Sequence, residues 1–291
     1  KLEIALSQVK TLDINEISPD LIEKAPFSVA VPGFYNTDGS PYPTIQSFTR
    51  IVKMIPSLKR PRKIRITGSN GHIYKYLLKG KEDLILDQRV MQFFSLTNAL
   101  LKDDKSGAEK FSKIVSYPIV PLSPVSGLIA WAEGSETLYK LITWYINLNR
   151  PPVNEQNAEK EQIPKKISDM ELWMSPLEAK FQYFREMCDC YDDTSLREAI
   201  WIRSPGAEIW FTQKSNFSRS LGLMSIVGYI IGLGDRHPNN ILFMKKTGSL
   251  VHIDFSECFE KALNLRIFPE KVPFRLTRMM VKAFGVSGVE G

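Results

Sequence analysis

Three polar residues toward the end of the chain have the order and spacing of a phosphoryl-transfer site. Asp235 is followed five residues later by Asn240, and Asp254 stands directly before Phe255. In such a site one carboxylate orients the attacking hydroxyl group and accepts its proton, while an amide oxygen and a second carboxylate hold metal ions on the ATP phosphates. Each residue taken singly is as well explained by a turn, a cap or a strand end, so the hypothesis depends on all three.

A predicted β-hairpin would bring Asn240 and Asp254 close together. Two short apolar runs, 241–244 and 250–253, flank the turn sequence Lys-Lys-Thr-Gly, and this pattern is typical of a hairpin. An apolar stretch ahead of the loop, within 216–233, predicts a helix that is buried on nearly all sides. That helix would position the following loop, which carries Asp235 and Asn240.

The triplet Asp235-Arg236-His237 reverses the His-Arg-Asp order of ordinary protein kinases. With this triplet and other segments, the chain resembles the phosphatidylinositol 3-kinase-related protein kinases, and within them the target of rapamycin (TOR) kinases. The matching segments run in order over nearly the whole chain and are 68–72, 77–80, 89–92, 119–123, 126–129, 219–221, 224–238, 252–255, 268–271 and 273–279.

The resemblance implies an α+β fold, namely a bilobal protein-kinase-like catalytic domain of the PI3/PI4-kinase type. We expect a lead-in and a sheet-rich N-lobe in residues 1–128 and a helical C-lobe in residues 129–291. ATP would bind in the cleft between the lobes. The abrupt ends of the sequence suggest a fragment that is truncated at both ends.

The resemblance also assigns the chemistry. Asp235 is expected to be the catalytic base, and His237 to stabilise charge on the transferring group. Asn240 and Asp254 are expected to bind Mg²⁺ or Mn²⁺. The reaction would transfer the γ-phosphoryl group of ATP to Ser or Thr of a protein substrate, in growth or nutrient signalling.

Two residues of the first half are expected to hold the ATP phosphates. Ser69 lies in the turn Gly-Ser-Asn-Gly, whose simplest explanation is a hairpin turn but whose glycines would also let the backbone approach a phosphate. Lys79 ends the following strand, where a cation pairs with phosphates when an acid supports it. By resemblance, Asp87 is the first choice for that acid and Glu82 the second.

The adenine pocket is assigned by resemblance alone. Trp131 would stack on the ring, with Ala132 beside it, although a tryptophan in the core is an equally good explanation of the sequence. The remaining residues expected to contact the nucleotide are Ile129, Leu242 and Ile253.

Composition suits a soluble globular protein of one large or two small domains. The chain has 291 residues, of which 43% are hydrophobic, and a net charge of +6. No basic cluster is interleaved with aromatic residues, so direct nucleic-acid binding is not expected. Three cysteines provide no disulfide framework and favour a reducing compartment. The most apolar run, 221–233, is too short to span a bilayer, and we expect a cytoplasmic protein, with endomembrane surfaces reached through partners and the nucleus as alternatives.

Several local predictions concern the second half. Ser135 is predicted to cap a helix that runs to Leu148, and 149–168 is predicted to be a loop. A helix is predicted from Ser175, with Phe181, Phe184 and Met187 in the core. TOR kinases carry an insertion that docks a WD-repeat β-propeller subunit, so residues 150–190 are expected to bind such a subunit within a larger TOR-type complex.

Two rival functions remain open on the sequence. A lipid kinase on the same fold would act on phosphoinositides, but residues 256–273 carry three acids and three bases instead of a basic cluster. A pseudokinase scaffold would bind partners without catalysis. The one residue that favours this hypothesis is Ser256, which follows Asp254-Phe255 at a position where Gly is usual.

Overall fold

The computed structural model describes residues 9–36, 39–57, 59–103, 113–149, 169–190, 192–264 and 271–290. These residues form two compact units. The first contains the described parts of 1–104 and 115–133, and the second those of 105–114 and 134–291. The main division follows Glu133, and not Leu128 as the sequence suggested, because strand 126–130 is hydrogen-bonded on both sides within the first unit.

The first unit is built on a sheet to which eight described strands contribute. Six of them follow the order β1-β4-β5-β6-β8-β7, while β3 pairs with β5 and carries β2. The strands are β1 Thr11–Asp13, β2 Phe27–Ala30, β3 Thr44–Phe48, β4 Ile51–Met54, β5 Arg62–Gly68, β6 Ile73–Gly80, β7 Ile119–Ser123 and β8 Ser126–Ala130. The helices are α1 Ile14–Ile17, α2 Asp20–Glu23 and α3 Ile85–Asp103.

The alternation of side chains along β5 and β6 gives the sheet two different faces. One face packs into a core that includes Ile66, Tyr74, Tyr76 and Leu128. Burial of the Tyr76 ring raises the pKa of its phenol, and its hydroxyl group donates to the carbonyl of Pro32 at 2.8 Å. The opposite face carries basic residues, as the register of β5 against β6 requires.

The second unit is mainly helical, and its described helices pack around a small sheet. They are α4 Leu138–Asn149, α5 Asp169–Met174, α6 Leu177–Cys190, α7 Ser195–Arg203, α8 Ala207–Ile230, α9 Glu260–Leu263 and α10 Arg278–Ala283, followed by a 3₁₀ turn, Gly288–Glu290. The core of this unit includes Leu141, Ile200, Phe217, Ile241 and Leu250.

A three-stranded sheet in the order β11-β10-β9 carries the predicted hairpin. Its strands are β9 Ser135–Thr137, β10 Ile241–Met244 and β11 Leu250–His252. The hairpin prediction is therefore confirmed, but the prediction that Ser135 caps a helix is wrong. Ser135 pairs with Met244 across the sheet, and the cap is Thr137, whose Oγ1 accepts a hydrogen bond from the Lys140 backbone at 3.1 Å.

Two predictions about helix burial are wrong. Helix α8 begins at Ala207, ahead of the predicted start, and it exposes Ile226, Tyr229 and Ile230, each by 58% or more. Helix α6 likewise exposes Phe181 and Phe184, by 55% and 62%. Apolar residues at helical spacing identify a face, but only the surrounding elements decide whether that face is covered. The loop prediction for 149–168 falls almost entirely outside the described residues.

None of the helices in the described ranges is both long enough and apolar enough to cross a membrane.

Candidate active site

Asp235 and Asn240 are joined directly in the second unit. The amide nitrogen of Asn240 donates to the backbone carbonyl of Asp235 at 3.0 Å and to its Oδ2 at 3.2 Å. Asn240 is buried whereas Asp235 is exposed, and Asp235 has a φ of 53°, a left-handed conformation that is uncommon for a non-glycine residue. A strained residue held by its neighbours is typical of functional sites. The bond also leaves the amide oxygen of Asn240 available to a ligand.

His237 lies beside the same carboxylate. Its Nδ1 accepts a hydrogen bond from the backbone N–H of Asn239 at 3.2 Å. A neutral imidazole that accepts at Nδ1 must carry its proton on Nε2. Nε2 is 3.9 Å from Asp235 Oδ2, so the donor nitrogen of His237 lies near the carboxylate of Asp235.

Arg236 fastens the loop that carries Asp235 to the segment that carries Asp254. Its buried guanidinium donates to the carbonyls of Gly234 at 2.7 Å and Ile253 at 2.9 Å, and also to that of Asp254. A guanidinium presents five N–H donors in a rigid fork, which suits it to several carbonyls at once. Sequence reasoning gave Arg236 no role, although its place inside the triplet was a usable signal.

Asp254 stands at the end of the hairpin opposite Asn240. The backbone N–H of Ile253 donates to the carbonyl of Asn240 at 3.0 Å, so the two strand ends are held together. Asp254 has a φ of 61°, and its Oδ1 accepts from the backbone N–H of Ser256 at 3.4 Å. Burial lowers the pKa of the neighbouring His252 to about 3, with a further contribution from Arg236, so this imidazole is neutral.

The donor set of this site fits Mg²⁺. Within the described ranges, no group of three or more His, Cys, Asp or Glu residues could hold a metal ion by itself. Mg²⁺ commonly binds through one or two protein oxygens and takes its remaining ligands from water and substrate phosphates. The carboxylate of Asp254 and the amide oxygen of Asn240 supply the hard oxygen ligands that this coordination needs.

Helix α8 anchors the hairpin through buried polar contacts. Gln213 donates to the carbonyl of Lys245 at 2.9 Å, and Asn216 donates to that of Thr247 at 2.8 Å. Ser220 accepts from the backbone N–H of Leu250 at 2.9 Å. Gly248 passes so close to the helix that an added Cβ would lie 2.4 Å from the carbonyl oxygen of Gln213. Helix α8 therefore holds the turn of the hairpin and the start of β11 in place.

In the first unit, Lys79 is paired with Glu82. Lys79 Nζ lies 3.1 Å from Glu82 Oε2, and the other carboxylate oxygen contacts the ammonium group of Lys59. Asp87, the first of the two predicted acids, is buried in the first turn of α3. The partner that the structure gives to Lys79 is thus the second of the two predicted acids.

Ser69 and Lys79 lie at opposite ends of the β5–β6 hairpin. Ser69 is in the turn next to the Thr67–Ile73 pair, while Lys79 follows Leu78, which pairs with Arg62 at the other end. From Ile73 to Lys79 the strand rises about 20 Å. This separation favours different binding roles for Ser69 and Lys79 over a shared contact with one phosphate group.

The turn that lies at the Lys79 end is the one between β4 and β5. Ile55 donates to the carbonyl of Pro61 at 2.9 Å, which closes this turn. The backbone N–H of Arg60 donates to the Ser57 hydroxyl at 3.2 Å, and Lys59 reaches Glu82. Sequence reasoning missed these residues, although Ser-Leu-Lys-Arg-Pro-Arg is a basic, proline-containing turn sequence that could have suggested them.

Trp131, Ala132 and Ile129 lie at the end of β8 or just after it. Ile129 pairs with Leu77 on the face of the sheet opposite the core. The backbone N–H of Trp131 donates to the carbonyl of Lys75 at 2.8 Å, and the residue is 38% exposed. The explanation of Trp131 as a core residue is therefore wrong, and its ring is accessible to a ligand.

Leu242 and Ile253 belong to the second unit, beside the metal-site candidates. Leu242 pairs with Val251 and alternates with Ile241 and Phe243, which both point into the core. Leu242 thus faces the other side of the small sheet. Ile253 links Asn240 and Arg236 through its backbone.

Comparison with known proteins decides the family. The sequence profile of the family described as Phosphatidylinositol 3- and 4-kinase matches residues 73–291. The chain belongs to the phosphatidylinositol 3- and 4-kinase family. As a member of this family it has the bilobal kinase fold that the sequence predicted, with a sheet-rich N-lobe and a helical C-lobe.

Within this kinase family the chain is more similar to TOR kinases than to a sister branch. It is 42% identical to Serine/threonine-protein kinase TOR of Arabidopsis thaliana over 291 residues, which is 100% of this chain and 12% of that protein. It is 35% identical to Serine/threonine-protein kinase Smg1 of Drosophila melanogaster, over 97% of this chain and 9% of that protein. The resemblance to TOR kinases is therefore confirmed.

A solved structure of a related kinase has the same fold. The FAT and kinase domain of CtTel1 superposes with a TM-score of 0.74 at 28% identity, covering 91% of this chain and 18% of that one. The chain thus spans only a small part of the proteins that it matches.

Proposed function

We propose that this chain is the catalytic domain of a TOR-type serine/threonine protein kinase. Its activity would be transfer of the γ-phosphoryl group of ATP to a Ser or Thr hydroxyl. The observation that carries this proposal is the bonded pair of Asp235 and Asn240, held beside Asp254 by Arg236. Relatives that are 35–42% identical to the chain are named as serine/threonine-protein kinases.

Asp235 is the residue that acts on the substrate hydroxyl. Its Oδ2 is oriented by the amide of Asn240, so the carboxylate can accept the hydroxyl proton as the new O–P bond forms. His237 presents its Nε2–H toward the same region and stabilises negative charge on the transferring phosphoryl oxygens. Positioning and electrostatics supply most of the catalysis in such reactions.

The divalent cation would be held by Asp254 and by the amide oxygen of Asn240. When bound, Mg²⁺ or Mn²⁺ neutralises charge on the phosphates of ATP. The protein's contribution is the fixed spacing of the two ligands, which the backbone bond from Ile253 to Asn240 maintains.

Residues of the first unit would bind ATP. Lys79 neutralises phosphate charge while Glu82 fixes its side chain, and the β4–β5 turn with Ser57 and Lys59 replaces Ser69 as the phosphate-binding turn that we propose. Trp131 stacks on adenine beside Ile129 and Ala132, and Asp87, in the first turn of α3, is proposed as a further residue of the nucleotide site. In the second unit, Leu242 and Ile253 are proposed as nucleotide contacts.

A protein substrate fits this chain better than a phosphoinositide, although the family description names lipid kinases. Between 256 and 273 the charges cancel, with three acids and three bases in Glu257, Glu260, Lys261, Arg266, Glu270 and Lys271. An inositol headgroup at an anionic membrane surface would favour clustered bases, each contributing about 1 kcal/mol.

A partner surface lies on helix α6. Leu177, Phe181 and Phe184 recur at helical spacing and are exposed by 55% or more, and Met174 just before them is exposed by 73%. Large apolar side chains in a contiguous stripe mark interaction sites. We assign this stripe, within the insertion 150–190, to a WD-repeat β-propeller subunit of a larger TOR-type complex.

The test measures phosphate transfer from labelled ATP by the full-length protein, with Mg²⁺ or Mn²⁺. Ser-Pro peptides and phosphoinositide vesicles are offered under the same conditions. Labelling of the peptide is expected. Labelling of the lipid without labelling of the peptide would establish a lipid kinase instead. Nucleotide binding without transfer to either substrate would support the pseudokinase hypothesis, which Ser256 favours.

A further inference from the structure

Lys63 lies over the indole ring of Trp131. Its Nζ is 3.8 Å from the ring centroid, well within the roughly 6 Å over which a cation is attracted to an aromatic face. Because Trp131 is 38% exposed, it is not a core residue. The ammonium group of Lys63 therefore covers one face of an accessible ring.

The register of the sheet places Lys63 on the side of the nucleotide candidates. Lys63 pairs directly with Leu77, and Leu77 pairs with Ile129. Directly paired residues point to the same face of a sheet, so Lys63 and Ile129 share the face opposite the apolar core. The strand contact extends to Trp131, because the backbone N–H of Trp131 donates to the carbonyl of Lys75 at 2.8 Å.

Burial and neighbouring charges both act on the ammonium group of Lys63. Burial lowers the pKa of Lys63, and so do the positive charges of Lys75, Arg65 and Lys53, while Glu133 has the opposite effect. Lys75 Nζ is itself 3.0 Å from Glu133 Oε1. A cation surrounded by other cations gains from the negative face of an indole, the ring that binds cations best.

We propose that Lys63 is a positioning residue of the adenine subsite. Its ammonium group holds the indole of Trp131 so that the opposite ring face is presented to a purine base. This inference rests on the proposed function, in which Trp131 stacks on adenine. Because Lys63 acts through the ring, its removal weakens binding of the purine and leaves binding of the triphosphate unchanged.

The first experiment measures kcat and the KM for ATP in the full-length protein. Lys63→Met, which keeps an apolar stem and removes the charge, is expected to raise KM about two- to five-fold with kcat unchanged, the loss that a partly exposed cation–π pair gives. Lys63→Gln repeats the test should the methionine variant fold poorly. Lys63→Arg is expected to restore KM, since a guanidinium also stacks on aromatic rings.

Arg65→Gln is the matched control. It removes a cation from the same strand and the same face, at a position that pairs with Lys75. Its KM for ATP is expected to remain that of the wild type. A rise as large as that of Lys63→Met would mean that the general positive field of the sheet matters, which would overturn the inference.

A double-mutant cycle tests the route through Trp131. In a Trp131→Leu background, Lys63→Met is expected to cause no further rise in KM, because the pair is already broken. Inorganic tripolyphosphate should compete with a fluorescent ATP analogue equally well in wild type and Lys63→Met. An additive rise in the double variant, or weaker tripolyphosphate binding, would overturn the inference.

Failure of this inference is distinguishable from failure of the proposed function. If Trp131→Leu leaves the KM for ATP unchanged while Asp235→Asn abolishes transfer, the kinase assignment stands and the role of Lys63 falls. If Asp235→Asn retains transfer, the catalytic assignment fails, and binding of the fluorescent analogue still decides the role of Lys63.

Discussion

The amide nitrogen of Asn240 is hydrogen-bonded to Asp235 at both the backbone carbonyl and the carboxylate. This one contact orients the proposed base and at the same time directs the amide oxygen of Asn240 away from it. One side chain therefore couples the proposed site of proton transfer to the proposed metal site. Substitutions of Asp235 and Asp254 are expected to separate the two functions.

Asp235→Asn is expected to lower kcat by about 10²–10⁴-fold, the contribution typical of a general base, while ATP binding survives. The reason is that Asp235 acts on the substrate hydroxyl and not on the nucleotide. Steady-state phosphorylation of a Ser-Pro peptide and binding of a fluorescent ATP analogue measure the two quantities. Turnover near that of the wild type would remove Asp235 from the mechanism.

Asp254→Ala is expected to weaken nucleotide binding in Mg²⁺ by at least about ten-fold, because it removes an anionic ligand from the cation. In EDTA the variant and the wild type should bind nucleotide alike. Titration of the fluorescent analogue with and without Mg²⁺ measures both affinities. Equal affinity in Mg²⁺ would contradict the role assigned to Asp254.

Lys59→Met and Ser69→Ala distinguish the two candidate phosphate-binding turns. Lys59 reaches the carboxylate that pairs with Lys79, so its loss should raise the KM for ATP about two- to five-fold, the range for an exposed charge. Ser69 Oγ accepts from the backbone N–H of Thr44 at 3.0 Å. Its loss should lower thermal stability, and a larger KM effect from Ser69→Ala than from Lys59→Met would restore the turn 68–71 as the phosphate site.

Gly248→Ala is expected to destabilise the protein by about 2–5 kcal/mol. The φ of 79° strains any residue with a Cβ by roughly 1–2 kcal/mol, and the new methyl group would also meet Gln213, an overpacking cost of about 1–3 kcal/mol. Gly39 has the same φ of 79° with nothing within 4 Å, so Gly39→Ala isolates the backbone term. Equal losses in urea denaturation would mean that the close approach of the hairpin to α8 is unimportant.

Phe181→Ser combined with Phe184→Ser is expected to reduce co-purification of the WD-repeat subunit at least about ten-fold, because exposed aromatic residues dominate binding energy at interfaces. Phe211→Ser is the control, since Phe211 is 60% exposed on a different helix. Deleting 152–165 in a separate variant tests the loop alone. If the double variant still co-purified with the WD-repeat subunit at the wild-type level, the assignment of the α6 surface as its binding site would be refuted. If the deletion variant did so, only the loop would be excluded from the binding site.

The sequence by itself determined the candidate catalytic residues and several of the secondary-structure elements. Asp235, Asn240 and Asp254 were identified from their order, because phosphoryl transfer needs few ligands at a fixed spacing. The hairpin that joins two of them was predicted from apolar runs and turn residues, and it is present in the structure. The Gly-Ser-Asn-Gly turn likewise predicted a hairpin, and β5 and β6 pair on either side of it.

Only the tertiary structure decided which residues meet. The register of β5 and β6 separated Ser69 from Lys79 and brought Lys59 to Glu82, because strand pairing depends on hydrogen bonds between distant segments. The exposure of Phe181 and Phe184 was likewise undecided until the neighbours of α6 were known. Arg236 gained its role only when the carbonyls of two separate segments converged on one guanidinium, since local sequence patterns report the preferences of a segment and not its long-range contacts.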